Sequence, residues 1–139
     1  MTDICYVSWG GTGRAVALRM AMARADKADA PLVYLAILDD STFGDIDSSL
    51  RDLAKDELAW LLDAQLELTK RQTGLENVAV QLLVRSGDVA KEIIEAVDTL
   101  QPAEVLVGAP LPDDSDNAIA ELFALVEQRT KTPVVVLEP

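Results

Sequence analysis

Histidine does not occur in the 139 residues of this chain, and cysteine occurs only once, as Cys5. Without histidine, neither Ser-His-Asp nor Cys-His catalysis is available, and the usual zinc sites lose one of their main ligands. A single cysteine excludes an intramolecular disulfide and a cysteine-based zinc cluster. In its apolar segment we expect Cys5 to be a buried, unreactive thiol. Because no set of acid, base and nucleophile can be assembled, we expect a protein that is not an enzyme and has no metal site.

Basic residues are scarce, since 12 Lys and Arg stand against 24 Asp and Glu and give a net charge of -12. This charge repels phosphate backbones and anionic lipid, so we expect neither nucleic acid nor a membrane as a partner. No apolar run approaches the ~20 residues of a membrane-spanning helix, and the 50% apolar content argues against disorder. We therefore expect a cytoplasmic protein, and the length predicts one domain over residues 1–139.

Short apolar segments alternate with helical patterns along the chain. The apolar segments predict strands at 4–9, 32–38, 78–84, 105–107 and 134–137. Between them, helices are predicted over 14–25, from Asp47 or Ser48 to Gly74, from Asp88 to the residues before Pro102, and over 118–129. Strands that are apolar throughout and alternate with helices indicate a parallel sheet with helices on both faces.

The long second helix has more apolar residues than one face requires. One stripe at helical spacing consists of Leu50, Leu53, Ala54, Leu58, Leu61 and Leu68. Trp60, Leu62 and Leu66 lie off this stripe, so we expect the helix to bury a second side as well.

The order and spacing of these segments resemble the universal stress protein family. The first strand with its Ala/Leu-rich helix, the stretch 84–94 around Gly87, and Thr132-Pro133 before the last strand are similar to the family's pattern, over essentially the whole chain. The resemblance implies an α/β fold with an open parallel five-stranded sheet of order 3-2-1-4-5 and helices on both faces. This fold is Rossmann-like, of the adenine nucleotide alpha hydrolase type.

The implied strand order reverses between the first and fourth strands. Open α/β sheets bind ligands in the crevice beyond the carboxyl ends of the strands at such a point. The candidate residues of this crevice are Trp9, Gly10, Gly11, Thr12, Gly13, Ile37, Gly87, Gly108 and Ala109. Two interpretations of the loop 10–13 stay open: a phosphate nest at a helix N-terminus, or a tight turn with Thr12 as the helix cap, which we favour.

The family's glycine motif for ATP, G-x2-G-x9-G-[ST] after the fourth strand, is incomplete in this sequence. Its first glycine corresponds to Gly108, its second falls on Leu111, and no glycine follows Gly108. Acidic residues at 113, 114 and 116 would repel a triphosphate, although the role of this loop stays open. The family's nucleoside-binding Asp falls at Trp9, whose indole we interpret as a plug in the pocket rather than a stacking platform.

The resemblance then implies a non-catalytic, regulatory or interaction domain of stress responses that binds no cofactor, with an unidentified protein partner. The alternative is a nucleotide-binding member that takes ATP or AMP with an atypical phosphate loop. An enzyme on the same scaffold is the weakest hypothesis, because a fold does not imply a function. At the sheet edge, Val134, Val135, Val136 and Leu137 form an uncharged apolar strand, which predicts a homodimer through this edge.

Overall fold

The computed structural model describes residues 3–9, 15–39, 48–108 and 118–137. Within these ranges the chain forms five strands and four helices. In chain order they are β1 (Ile4–Trp9), α1 (Ala15–Ala28), β2 (Leu32–Asp39), α2 (Ser48–Thr73), β3 (Val80–Gly87), α3 (Val89–Leu100), β4 (Glu104–Gly108), α4 (Ala118–Thr130) and β5 (Val134–Leu137).

The five strands form one parallel sheet of order β3-β2-β1-β4-β5, as the resemblance implies. The central strand β1 pairs with β2 up to the register pair Trp9 and Ile37. On its other side β1 pairs with β4 up to Val7 and Val107. The strand order therefore reverses between β1 and β4, and the carboxyl ends of both strands lie side by side at one edge of the sheet.

Each face of the sheet carries its own apolar core, because successive side chains of a strand point to opposite faces. The core under α1 and α2 includes Tyr6, Leu18, Met22, Tyr34 and Leu66. The core under α3 and α4 includes Val7, Leu35, Ile93, Val97 and Val126. This burial on both faces explains why the strands are apolar at most positions.

Local signals set the end of α2 and both ends of α3 where the sequence predicts them, whereas α1 extends to Ala28, beyond its predicted end at residue 25. Asp88 caps α3, since the N–H of Lys91 donates to Asp88 Oδ2 at 3.0 Å. Gly74 follows α2 with a φ of 72°, a conformation that glycine adopts without steric cost. The helix α3 ends before Pro102, where Gln101 takes a left-handed conformation with a φ of 47°.

The third strand differs from its prediction at both ends. Val78 lies in the connection before β3, where its N–H donates to the carbonyl of Leu75 at 3.3 Å. At the other end the polar residues Arg85 and Ser86 continue the strand, because β2 is long enough to pair with them. An apolar run marks the buried part of a strand, and the neighbouring strand decides how far the pairing extends.

The stripe predicted from the spacing of apolar residues in α2 does not face the sheet. Leu50, Leu53, Leu61 and Leu68 are each more than half exposed. The side of α2 that packs on the core carries Leu62 and Leu66 instead. Helical spacing identifies residues that share a side, but it does not tell which side the rest of the fold covers.

Candidate functional site at the carboxyl end of the sheet

Four of the candidate crevice residues lie in the part of the chain that the structure describes. Trp9 ends β1, Gly87 ends β3, Gly108 ends β4, and Ile37 lies near the end of β2. The remaining candidates, Gly10, Gly11, Thr12, Gly13 and Ala109, lie outside the described residues, as do Leu111 and the acidic loop at 113–116. The phosphate-nest and tight-turn interpretations of the loop 10–13 therefore stay predictions.

Trp9 is buried next to the point where the strand order reverses. Its side chain is 9% exposed and belongs to the core on the α3–α4 face, together with Ile37 and Val107. An indole in this position presents little aromatic face to solvent on which a flat ligand could stack. The burial of Trp9 thus favours the plug over the stacking platform.

A row of side chains crosses the carboxyl end of three neighbouring strands. Trp9 is in register with Ile37, and Ile37 is in register with Arg85 of β3. In a parallel sheet, residues in register point to the same face, which here is the α3–α4 face. The row therefore runs from an aromatic plug through an aliphatic side chain to a guanidinium at the rim.

Arg85 is held at this rim by an ion pair with α3. Its Nη1 atom lies 3.8 Å from Oε2 of Glu92, whose side chain is 15% exposed. Our reading of the sequence missed both residues, because Arg85 follows the apolar run and Glu92 lies on a different element. A basic residue near the carboxyl end of a strand, with an acid in the first turn of the next helix, is the signal that points to such a pair.

Gly87 makes room for the same carboxylate. Its φ is 149°, and a Cβ atom at this position would lie 2.7 Å from Oε1 of Glu92. The first turn of α3 is already occupied by acidic groups of the chain itself, since Asp88 accepts from the N–H of Lys91. This end of α3 consequently offers a bound phosphate little of the positive potential that helix N-termini usually provide.

On the opposite face of the sheet two tyrosines pack against each other. The rings of Tyr6 and Tyr34 lie 5.0 Å apart at an angle of 55°, and the hydroxyl of Ser8 donates to Tyr34 Oη at 3.4 Å. Burial raises the pKa of both phenols above its usual range. Ala36 of β2 is 2% exposed within the same core and carries no functional group.

The carboxylates and the cysteine of the described segments form no metal-binding cluster. Cys5 is fully buried, and burial raises the pKa of its thiol to about 12, so the nucleophilic thiolate is not populated at neutral pH. Across the same segments, no cluster of three Cys, Asp or Glu side chains stands close enough to hold a metal ion. No helix within them has the length and hydropathy needed to cross a bilayer.

Comparison with solved structures shows the same fold in distant relatives. Universal stress protein UspA from Lactobacillus plantarum is 19% identical with a TM-score of 0.61, over 99% of this chain and 98% of that one. A universal stress protein solved in complex with cAMP is 13% identical with a TM-score of 0.60, over 99% and 98% of the two chains.

A universal stress protein family protein from Arabidopsis thaliana, solved with AMP bound, is 11% identical with a TM-score of 0.53, over 99% and 92% of the chains. A comparison with curated proteins gave no significant match. The sequence model of the universal stress protein family matches residues 4–136, nearly the whole chain. The parallel sheet of order 3-2-1-4-5 and this match lead to one conclusion: the chain belongs to the universal stress protein family.

Proposed function

We propose that this chain is a non-catalytic regulatory domain of stress responses that acts through protein contacts and does not bind ATP. The observation that carries the proposal is the burial of Trp9, which is 9% exposed in the core beside the reversal point of the sheet. This is the position at which the resemblance to the family puts a nucleoside-binding Asp.

The chemistry of the indole supports this proposal. Trp carries a single N–H donor and no acceptor, so it cannot accept hydrogen bonds from a nucleoside as a carboxylate does. A ligand that enters on the α3–α4 face would also have to displace the side chain from its core. Loss of the packing of a buried Trp costs about 3–5 kcal/mol, which a ligand would have to offset before it gained affinity.

The charges around the crevice support it as well. A triphosphate that approaches the first turn of α3 meets the carboxylates of Asp88 and Glu92. Of the two nearby cations, Arg85 is already paired with Glu92, and Lys91 is exposed to solvent. The net charge of -12 adds a general repulsion of polyanions.

The alternative function is the binding of an adenine nucleotide with fewer phosphates. The relatives solved with cAMP and with AMP favour this alternative, because both share the fold over nearly the full length of this chain. Arg85 could then exchange its carboxylate partner for a single phosphate.

The two functions are separated by a titration in which Trp9 reports on the crevice. The chain has two tryptophans, and Trp60 is 72% exposed on α2, so Trp60→Phe leaves Trp9 as the sole reporter at small cost to the fold. We expect ATP, AMP and cAMP, with and without Mg²⁺, to leave both the emission maximum and the melting temperature unchanged.

A ligand at 100 times its Kd would add about 2.7 kcal/mol of stability, so specific binding would be seen in the melting temperature. A saturable response to ATP would contradict the proposal. A response to AMP or cAMP alone, lost in Arg85→Ala, would establish the alternative. The matched control for the loss of a positive charge is Lys91→Ala, which removes an exposed cation from the first turn of α3.

A further inference from the structure

The outward side of α2 carries a row of exposed large apolar side chains. We call this set the outer stripe, and it consists of Leu50, Leu53, Trp60, Leu61 and Leu68. The five side chains are 54–72% exposed. Their spacing of 3, 7, 1 and 7 residues puts them on one side of the helix, opposite the side on which Leu62 and Leu66 pack toward the sheet.

The outer stripe is large for the surface of a monomer. At about 200 Å² for each fully exposed large side chain, the five exposures amount to about 600 Å². The largest apolar patch of a typical monomer covers about 300–600 Å² and is often functional. A partner that covered the stripe would bring the total buried area to about 1,200 Å², the lower end for specific interfaces.

A row of acidic side chains runs along one edge of the outer stripe. Asp52, Asp56, Asp63 and Glu67 are all exposed, and their spacing of 4, 7 and 4 residues aligns them on the helix next to Trp60. Glu57, also exposed, lies within the stripe between Leu53 and Trp60. The other edge carries Ala54, Leu58 and Gln65, with Arg51 beside Leu58 as its one charge. Glu67 is paired with Lys70 at 4.0 Å, so Asp52, Asp56 and Asp63 contribute most of the negative charge of the row.

We propose that the outer stripe docks an amphipathic helix of another protein, with apolar residues on one side and a row of Lys or Arg along one edge. Amphipathic helices are commonly bound through anchors spaced at i, i+3 or i+4, and i+7. The acidic row selects a basic partner and fixes its orientation, because opposite charges across an interface favour one register. This inference deepens the proposed interaction role.

A second copy of this chain fits the surface less well. Its own α2 would bring five more exposed acidic side chains to the contact. Like charges held face to face oppose association. The charges therefore favour a basic helix from a different protein.

The test uses a synthetic three-heptad helical peptide without Trp, with Leu at positions a and d and Lys at e and g. Binding to the full chain is followed by the anisotropy of a fluorescent label on the peptide and by the emission of Trp60. We expect saturable binding with a micromolar Kd at physiological salt, together with a blue shift of the exposed Trp60. Two further peptides serve as controls, one with Leu replaced by Ser and one with Lys replaced by Glu, and neither should bind.

Variants of the chain separate a specific contact from general attraction to an acidic protein. Leu53→Ser with Leu61→Ser should weaken binding about tenfold or more. Asp56→Lys with Asp63→Lys should weaken binding of the Lys peptide and allow the Glu peptide to bind. The matched control is Glu95→Lys with Asp98→Lys, which changes the net charge equally at exposed positions of α3 and should leave binding within about twofold.

The proposal is overturned if the Lys peptide does not bind in a saturable way. It is overturned as well if the pair of substitutions in α2 and the control pair in α3 weaken binding of the Lys peptide equally. It is also overturned if sedimentation of the chain alone shows an oligomer that Leu53→Ser with Leu61→Ser dissociates, since the occupant would then be a second copy. Neither result depends on nucleotides, so failure here is distinct from failure of the titration at Trp9.

Discussion

Gly87 shows how one backbone conformation shapes the rim of the crevice. With a φ of 149° it lies where side chains are rarely tolerated, and its bare Cα leaves space for the Glu92 carboxylate. The place of Gly87 between a strand and the cap of the next helix favours a role in the backbone, and its φ agrees with that role. The contact with Glu92 could not be predicted, because it depends on a rotamer in the next helix.

We expect Gly87→Ala to lower the free energy of unfolding by about 1 kcal/mol or more, since the new Cβ meets both a strained φ and a carboxylate oxygen. Urea unfolding of Gly87→Ala in the wild-type and Glu92→Ala backgrounds separates the two causes. In the Glu92→Ala background, Gly87→Ala should lower the free energy of unfolding by less than it does in the wild type. Gly74→Ala is the control, because its φ is 72° and nothing lies within 4 Å of its added Cβ. An unchanged midpoint for Gly87→Ala would contradict the expectation.

Cys5 illustrates a reactive group made inert by its surroundings. Burial raises the pKa of its thiol from the ordinary 9.0 to about 12. The unfolded chain therefore releases this proton at a lower pH than the folded chain does. Between pH 9 and 12 the unfolded state binds fewer protons, so the stability falls as the pH rises.

We expect an aromatic disulfide reagent at pH 8 to leave Cys5 unmodified in the folded chain and to modify it fully in urea. Above about pH 9 the free energy of unfolding should fall by up to about 1.4 kcal/mol per pH unit for this group, and Tyr6 and Tyr34 add to the fall in the same direction. Cys5→Ala should make the decline with pH less steep. Fast modification of the native chain would show that the thiol is not protected.

Among the elements, α1 and β4 are joined by a surface contact that the sequence does not reveal. The guanidinium of Arg24 donates to both oxygens of Glu104, with Nε–Oε1 at 2.5 Å and Nη2–Oε2 at 2.9 Å. The hydrogen bond to Glu104 raises the pKa of Arg24. These residues lie 80 positions apart, so only the packing of α1 over β4 brings them together.

We expect Arg24→Ala to cost about 0.2–1 kcal/mol of stability, since side-chain entropy and solvent reduce the strength of exposed ion pairs. The loss should shrink at high salt, where charges are screened. A double-mutant cycle with Glu104→Gln, measured by urea unfolding, gives the coupling energy between Arg24 and Glu104. Arg19→Ala, on the same helix, is the control. A coupling energy that does not depend on salt would show that the contact acts through packing rather than charge.

The long helix α2 marks the limit of periodicity as a predictor. Gly74 correctly predicts its end, but the prediction that the helix buries two sides is wrong, since only the side with Leu62 and Leu66 packs on the core and Trp60 is exposed together with the predicted stripe. Which side faces the sheet depends on where β3 and α1 lie, and this information is not local. Trp60, 72% exposed, and Leu66, 4% exposed, are indistinguishable by hydrophobicity alone.

For the whole molecule, the strand order could be predicted because the pieces of the sequence follow one family's order, and the structure confirms it. The position of β5 at the edge of the sheet follows from that order. Pairing of this edge with a second copy stays a prediction. The edge is partly protected already, since the N–H of Val134 donates to Glu127 Oε1 of α4 at 2.9 Å instead of to a strand.

We expect the chain to be a homodimer in solution through β5, Val134–Leu137, with the two sheets joined about a two-fold axis. Val135 packs against the core on the α1–α2 face, so a charge there would disturb the fold as well as the edge. Val136 is partly exposed and is not among the residues that pack against either core, so it is the better position, since an edge lysine opposes strand pairing while the strand itself persists. Val136→Lys should therefore give a folded monomer by sedimentation and circular dichroism at micromolar concentration.

The matched control is Val16→Lys, which puts the same charge on an exposed valine of α1 and should leave the dimer intact. Glu127→Ala should strengthen the dimer, because it frees the N–H of Val134 for pairing with the second copy. The two substitutions at the edge thus act in opposite directions, which a general loss of stability would not produce. A monomer in the unmodified chain, or a dimer that Val136→Lys leaves unchanged, would show that this edge is closed by the chain itself.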